Sequence, residues 1–359
     1  MSFSLDNDTL AGIINPNINS PNLISGQIEY ANYNYNIHIS SAVVFTVLFG
    51  LLSSIHLYQA IRSRYWFLLY TVSLGGFIEM GGWAGRLASA TSTKWDPTFG
   101  GYWASTDGAF LAQICMLIFA PAFIVAGCYV ILGVVISRCG YQYCRLHPKT
   151  YTIMFLAGDL TSLVIQAIGG GVAASADTHS QADQGARIMV GGVIFQMVVM
   201  VAYTYLLLEF SYRYIYNQPT TQLSPFAWMT KKTRENARRQ AEENRLATAS
   251  SCAARGSVED KRTRYQLMGV GGVTLFIFIR SVYRTIELLD GWSGPIISNQ
   301  SLFDGLDGAM IILSLICLNV AHPVFLMGRT DNMEAYPLVS VWNLSTAFSS
   351  LLYIFIPWT

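Results

Sequence analysis

The stretch GAFLAQICMLIFAPAFIVAGCYVILGVVI, residues 108–136, contains no Asp, Glu, Lys or Arg. A helix needs roughly 20 apolar residues to cross the hydrocarbon core of a bilayer, and this stretch is longer than that. Backbone groups in lipid must be hydrogen-bonded within the segment, which favours a helix over a strand. We therefore predict a transmembrane helix here, long enough to tilt or to project beyond the bilayer.

The same criterion applies along the rest of the chain. It predicts seven spans, at 37–60, 65–88, 108–136, 150–174, 186–210, 265–289 and 302–327. The composition agrees, because the 359 residues are 52% hydrophobic and only 12% charged, with a mean hydropathy of +0.38. About a quarter of the residues of a soluble domain are charged. The predicted fold class is all-α, a polytopic membrane protein whose seven-helix bundle covers residues 37–327, with no soluble catalytic domain.

The Lys and Arg residues predict how the bundle is oriented. If the N-terminus lies outside, seventeen of them fall on the cytoplasmic side, and only Lys94 and Arg187 fall in outer loops. Cytoplasmic loops carry the excess of Lys and Arg in membrane proteins. We therefore predict an outside N-terminus and a cytoplasmic C-terminus.

Three segments lie outside the predicted spans. Residues 1–36, rich in Asn, Ser and Pro, predict a disordered extracellular tail, in which Asn7 is a possible glycosylation site. The charged loop 211–264 is either a solvated extension that contacts anionic lipid or a regulatory, partner-binding arm. The apolar tail 328–359 is expected on the cytoplasmic side, along the membrane surface or packed on the bundle.

The outer loop between helices 2 and 3 is rich in aromatic residues. They are Trp95, Phe99, Tyr102 and Trp103. Aromatic residues commonly line the membrane interface, which is the simpler interpretation of this cluster. The alternative is a lid over an outward-facing cavity.

Six charged residues fall within the second, fourth and sixth predicted spans: Glu79, Arg86, Asp159, Arg280, Arg284 and Glu287. Each costs about 2.5–3.5 kcal/mol at the centre of a membrane helix. Such residues therefore face the bundle interior, where they are paired or hydrated. The three carboxylates balance the three guanidinium groups, which suggests that they pair with one another.

Helical phase groups these charges with glycines on three faces. At 100° per residue, the faces hold Gly75, Glu79, Gly82 and Arg86 on helix 2, Asp159, Gln166 and Gly170 on helix 4, and Arg280, Arg284, Glu287 and Gly291 on helix 6. Asp304 and Asp307 begin helix 7 at the same outer level. We expect the three faces to meet, either as an ion-pair network that only fixes helix packing or as a polar cavity for a substrate or ion.

Several chemistries lack their usual motifs in these 359 residues. The five histidines show no metal-ligand spacing, and His56 is expected to be a hydrogen-bonded interior residue. No GxxxxGK[ST] motif occurs, and no Lys lies in a predicted span. We expect no metal, no cofactor and no nucleic-acid partner, only membrane lipid as substrate and the bilayer as surroundings.

Four motifs resemble a known family. EMGGWAGR in helix 2, DLTSLVIQAIGGG in helix 4, RSVYRTIE in helix 6 and HP at the end of helix 7 are similar to the fungal lipid-translocating exporters, or RTA1-like proteins. The resemblance covers roughly residues 35–328. It implies a multi-pass protein of the plasma membrane or another endomembrane that moves amphipathic lipids. The matching positions are Glu79, Gly82, Arg86, Asp159, Ser162, Gln166, Gly169, Gly170, Gly171, Arg280, Tyr283, Arg284, Glu287 and His322.

These observations lead to a transporter hypothesis with two alternatives. The chain would translocate amphipathic lipids without hydrolysing ATP, with sphingoid long-chain bases as the favoured substrate. Glu79 and Asp159 would neutralise an amine, and the arginines would hold a phosphate or position those carboxylates. One alternative is a seven-helix lipid receptor or sensor. The other is an intramembrane lipid-modifying enzyme with Asp159 or Glu79 as base, although no nucleophile–base pair is evident.

Overall fold

A computed structural model describes residues 22–24, 27–29, 37–96, 101–104, 107–139, 143–144, 148–175, 179–218, 258–290, 296–297 and 299–327. Its helices are α1 (Ile39–Ser63), α2 (Trp66–Leu68, π-helical Leu69–Ser73 and Leu74–Ser92), α3 (Asp107–Cys139), α4 (Pro148–Ala174), α5 (His179–Tyr216), α6 (Val258–Asp290), α7 (Gln300–Phe303, π-helical Asp304–Gly308 and Ala309–Val320) and α8 (Pro323–Met327). The predicted all-α class is confirmed.

The seven long helices of the described part pack in a ring in chain order, and α7 closes the ring by contacting α1. The helix α3 also contacts α6 and lies inside the bundle. Of the residues in its apolar membrane-length segment, 72% are buried, whereas in the corresponding segment of α1 only 22% are. The stretch with no charged residue thus forms the centre of the fold. Because its neighbours are other helices rather than lipid, it needs an apolar surface on every side.

Six helices in the described residues are long and apolar enough to cross a membrane. They are Ile39–Ser63, Gly108–Ser137, Tyr151–Ala173, Asp183–Tyr216, Asp260–Leu289 and Gln300–Leu326. The second predicted span, 65–88, is not among them, because a π-helical turn divides α2 and its regular part contains two charges and many glycines. The seven-span count and the orientation stay predictions.

The turn between α1 and α2 brings these two helices side by side. Arg64 ends α1 in the left-handed conformation, with a φ of 59°, and its backbone N–H donates to the carbonyls of Ala60 and Ile61. A left-handed residue at a helix end satisfies carbonyls that the helix leaves free. The chain can therefore re-enter α2 within two residues and pack it antiparallel to α1.

Two short hairpins accompany the helices. Asn22–Ile24 pairs antiparallel with Gln27–Glu29, with Leu23 opposite Ile28 in the register. The disordered state of the rest of the tail stays a prediction. Thr93–Asp96 pairs with Gly101–Ala104 in the loop between α2 and α3, with Trp95 opposite Tyr102.

Several sequence predictions concern residues that the structure does not describe, or describes only in part. The lid stays a prediction. They concern Asn7, Phe99, most of the loop 211–264 and the tail 328–359. Where the structure does describe the ends of the loop, α5 continues to Tyr216 and α6 begins at Val258.

Five of the glycines named from the sequence lie in the described helices: Gly75, Gly82, Gly169, Gly170 and Gly171. Three of these five make close helix contacts. A Cβ atom on Gly75 would lie 2.9 Å from Ile124 Cγ1, and one on Gly82 would overlap the Leu117 side chain. A Cβ on Gly169 would lie 2.5 Å from the backbone nitrogen of Met189. In contrast, a Cβ on Gly170 makes only an ordinary contact, and one on Gly171 meets nothing within 4 Å. The packing role therefore belongs to the first three, at the α2–α3 and α4–α5 contacts.

Gly169 and Gly171 provide a matched pair for testing this packing. We expect Gly169→Ala to lower the free energy of unfolding by about 1–3 kcal/mol, because the new methyl group meets backbone atoms that cannot move aside cheaply. Gly171→Ala, the same change two residues along, should leave stability unchanged or slightly raised. Thermal unfolding of both purified variants in detergent measures the difference. Equal stability of the two would contradict the close α4–α5 contact.

Candidate functional site

The centre of the site is Asp307, which binds two guanidinium groups at once. Its Oδ1 lies 2.8 Å from Nε of both Arg280 and Arg284. Arg284 also donates from Nη2 to Oδ2 of Asp307 at 3.0 Å, so this contact is bidentate. Asp307 is 1% exposed. A carboxylate so deeply buried is tolerated because both of its oxygens face cations.

Asp307 lies in the π-helical turn Asp304–Gly308 of α7. Such single turns occur inside α-helices frequently at functional sites. The turn packs tightly: a Cβ on Gly308 would lie 2.5 Å from Trp83 Cζ2 and 2.8 Å from Phe45 Cε1. The glycine therefore lets α7 approach α1 and α2, and the extra residue of the turn directs Asp307 towards α6.

The arginines of α6 have further partners. Arg284 donates from Nη1 to Glu287 Oε2 at 2.8 Å, and the Tyr283 hydroxyl donates to Glu287 Oε1 at 3.1 Å. These residues are three and four positions apart, which places them on one side of a helix. Glu287 is thus held by two donors of its own helix. It supports the orientation of Arg284 towards Asp307.

Arg280 also links α6 to the central helix. Its Nη2 donates to the backbone carbonyl of Leu117 at 2.6 Å. In a regular helix that carbonyl would accept from the N–H four residues later, but this position is Pro121, which has no N–H. Arg280 therefore satisfies the carbonyl that Pro121 leaves free. The proline of α3 and the arginine of α6 form one structural unit.

Glu79 is the carboxylate that α2 contributes to this group. It is 1% exposed and interacts electrostatically with Arg280, Arg284 and Asp307. Its Oε1 accepts no hydrogen bond from the described residues. We define the charge cluster as Glu79, Arg280, Arg284, Glu287 and Asp307. Of these, Glu79 is the member with a free acceptor atom.

Arg86 adjoins the charge cluster through an aromatic ring. Its guanidinium carbon lies 4.5 Å from the centroid of Phe303 and 5.7 Å from that of Trp83. The guanidinium carbon of Arg284 lies 5.1 Å from the same Phe303 ring. Aromatic rings attract cations placed at such distances. Phe303 thus contacts both guanidinium groups and attracts each of them.

The structure corrects the expected position of Asp159. It does not meet the faces of α2 and α6; it accepts a hydrogen bond from the Tyr129 hydroxyl of α3 at 2.8 Å. Gln166 donates to Gln196 of α5 at 3.0 Å. The reason is the ring order, since α4 packs between α3 and α5. The balance of three carboxylates and three guanidinium groups holds with Asp307 in place of Asp159.

The sequence predicted that Asp307 lies at the same depth in the bundle as the charged residues of α6. It was not included among the predicted site residues. Gln300, Phe303 and Asp307 are spaced by three and four residues and are all buried, so the helical stripe was a usable signal. Pro121 was a second usable signal, because a proline has no N–H and therefore leaves the carbonyl of Leu117, four residues earlier, free to accept from another helix. The role of Tyr129 had no signal, because only the packing of α3 on α4 creates it. Among the described residues, no group of three or more His, Cys, Asp or Glu could hold a metal ion.

The helices and the charge cluster together define a polytopic α-helical membrane protein with a charged interior. The family described as RTA1 like protein matches residues 72–330, so the chain belongs to this family and the resemblance of its motifs is confirmed.

Its relatives in Saccharomyces cerevisiae include the sphingoid long-chain base transporter RSB1, 27% identical over 326 residues, which are 89% of this chain and 78% of that protein. Protein RTA1 is 23% identical over 254 residues, 70% of this chain and 64% of that protein. Protein RTM1 is 22% identical over 244 residues, with shares of 67% and 63%. No solved structure matches the chain.

The role of Asp307 can be tested against its neighbour Asp304. Asp304 lies in the same π-helical turn and accepts a hydrogen bond from Gln300 at 3.3 Å. We expect Asp307→Asn to destabilise the protein by about 3–5 kcal/mol, because it removes the carboxylate that two buried guanidinium groups share. Asp304→Asn keeps an acceptor for Gln300 and should cost far less. Denaturation of both variants in detergent, followed by tryptophan fluorescence, compares them; a milder effect at Asp307 would contradict its central role.

Proposed function

We propose that the chain is a membrane transporter of amphipathic lipids and that sphingoid long-chain bases are its substrates. The single observation that carries the proposal is Glu79, a carboxylate deep in the bundle whose Oε1 has no donor among the described residues. Similarity to a sphingoid long-chain base transporter along 89% of the chain supports the same substrate class. Ionisable residues inside membrane bundles commonly mark substrate pathways.

The chemistry of the substrate fits this carboxylate. A sphingoid base carries a primary ammonium group, hydroxyl groups and one long alkyl chain. The ammonium group would donate to Glu79 Oε1, and a charge-assisted hydrogen bond of this kind is among the stronger ones. The alkyl chain can stay in the hydrocarbon of the bilayer while only the head group enters the bundle. The charge cluster therefore needs to accommodate a small polar group, not the whole lipid.

The arginines have a supporting role in this proposal. Arg280 and Arg284 interact electrostatically with Glu79, and they are held in place by Asp307. They make a negative Glu79 tolerable in an apolar interior when the ammonium group binds. Because no ATP-binding motif occurs in these residues, we propose that transport is driven by a gradient or by a lipid acceptor, in the plasma membrane or another endomembrane.

Transport by the purified chain in liposomes tests the proposal. We expect Glu79→Gln to reduce the flux of tritium-labelled sphinganine by about 10- to 100-fold, since a hydrogen bond to a charged group contributes about 1.5–3 kcal/mol. The matched control is Glu209→Gln on α5. The Glu209 carboxylate lies 2.8 Å from Nη2 of Arg213 and does not belong to the charge cluster. This control should transport at the rate of the unmodified chain.

Two results would overturn the proposal. Equal flux in the Glu79→Gln and Glu209→Gln variants would remove the role of Glu79, and no flux above protein-free liposomes would remove the transport activity. Mass spectrometry of the recovered lipid distinguishes the enzyme alternative, which requires a chemically altered product. Thermal unfolding of the Glu79→Gln variant should match the unmodified chain, so that a loss of flux is not a loss of folding.

A further inference from the structure

A buried hydrogen-bond donor on α2 has no partner among the described residues. It is the indole nitrogen Nε1 of Trp83, whose side chain is 0% exposed. Trp83 is the tryptophan of the motif EMGGWAGR, and the ion pairs of the charge cluster do not use its N–H. Buried N–H groups in proteins nearly always donate a hydrogen bond, so this one indicates a site for a water molecule or a ligand.

The ring of Trp83 is held in one orientation by its neighbours. It stacks on Phe45, with ring centroids 4.2 Å apart and planes inclined by 18°, and the ring of Phe303 is centred 5.6 Å away. Its Cζ2 atom, two bonds from Nε1, lies 2.5 Å from the position that a Cβ atom on Gly308 would take. Because other rings and the α7 backbone surround the indole, it cannot turn to find a partner within the bundle. The N–H is the group that it offers to a ligand.

This donor lies on the same side of α2 as the free acceptor of Glu79. Glu79 precedes Trp83 by four residues, and side chains so spaced on a helix are neighbours, with Cβ atoms about 5–6 Å apart. Both face the π-helical turn Asp304–Gly308 of α7, since Glu79 interacts electrostatically with Asp307 and Trp83 packs on Gly308. One unpartnered acceptor, Glu79 Oε1, and one unpartnered donor, Trp83 Nε1, thus flank the same turn.

A sphingoid base carries the matching groups on adjacent carbon atoms. Its ammonium group can only donate hydrogen bonds, whereas each hydroxyl group can also accept one. A simple alkyl amine of the same length would satisfy Glu79 but would leave the N–H of Trp83 unpaired. Leaving a buried polar group unpaired costs free energy, so a donor in this place discriminates against an amine without hydroxyl groups.

We propose that Trp83 makes the site specific for amino alcohols: its Nε1–H donates to a hydroxyl group of the lipid whose ammonium group binds Glu79. The inference rests on the proposed function and names the residue that distinguishes a sphingoid base from other long-chain amines. The rings of Phe45 and Phe303 position the indole for this contact. A donor fixed in this way binds its ligand without the entropic cost of ordering a side chain.

The substrate pair that tests the inference is sphinganine and octadecan-2-amine, which is sphinganine without its hydroxyl groups. The full chain in liposomes transports tritium-labelled sphinganine, and each unlabelled amine is added in turn as a competitor. We expect octadecan-2-amine to compete about tenfold more weakly than sphinganine, because it leaves the buried indole N–H unpaired. Protein-free liposomes give the rate at which sphinganine crosses alone.

Two changes at position 83 remove the N–H. Trp83→Phe removes it together with part of the ring, whereas incorporation of benzothienylalanine in place of Trp83 replaces the N–H by sulfur and keeps the shape that packs on Gly308. In both we expect sphinganine to compete about tenfold more weakly than before and octadecan-2-amine to keep its strength, so that the preference disappears. The matched control is Trp66→Phe at the start of α2, where the ring is 49% exposed. This control should keep the preference.

A merely structural role of Trp83 gives a different result, because a disturbed site would weaken both amines alike. Such equal weakening in the benzothienylalanine variant would overturn the specificity role. Equal competition by the two amines in the unmodified chain, or a preference that survives benzothienylalanine, would also overturn it while the transporter stands. If the unmodified chain moves no sphinganine, the proposed function is wrong and the inference falls with it.

Discussion

The contact of Asp307 with two arginines is the interaction on which the interior of this bundle depends. It joins α7 to α6 through Arg280 and Arg284, and Arg280 joins both to the central helix at the carbonyl of Leu117. Three helices therefore meet at one carboxylate. Each charge in this part of the bundle has a partner, so its desolvation cost is offset by close Coulombic contacts and hydrogen bonds.

The positions of the helices and of most intramembrane charges could be predicted from sequence, because apolar length and a repeat of 3.6 residues are local properties. The partners of those charges could not. Asp159 has the same signal as Glu79, a lone carboxylate beside glycines in an apolar run, yet it bonds to Tyr129 on another side of the bundle. Neighbours in the ring decide this, and the π-helical turn that directs Asp307 has no sequence signature.

The glycines of α2 change how the space beside the charges is understood. A Cβ atom on Gly75 would meet Ile124 and one on Gly82 would overlap Leu117, so α3 fills the space beside these two glycines. Gly76 faces α1 and α7, where a Cβ atom would overlap Ser53 Oγ and lie 3.5 Å from Leu315 Cδ1, so this side is closely packed as well. The glycines of α2 thus serve helix contacts on both sides.

The bundle thus has two polar regions of different character. On the α3–α6–α7 side, the charged groups are paired at Asp307, and paired networks of this kind hold a structure in one arrangement. Between α1, α2 and α7, Ser53 Oγ, His56 Nε2 and Glu79 Oε1 are buried without a hydrogen bond from the described residues, which is costly unless water or a ligand occupies the region. Glu79 belongs to both, since it interacts electrostatically with the arginines and its Oε1 has no donor among the described residues. Because Asp307 already has its partners, the proposed ammonium group would bind at Glu79 without breaking the contacts that join α6 to α7.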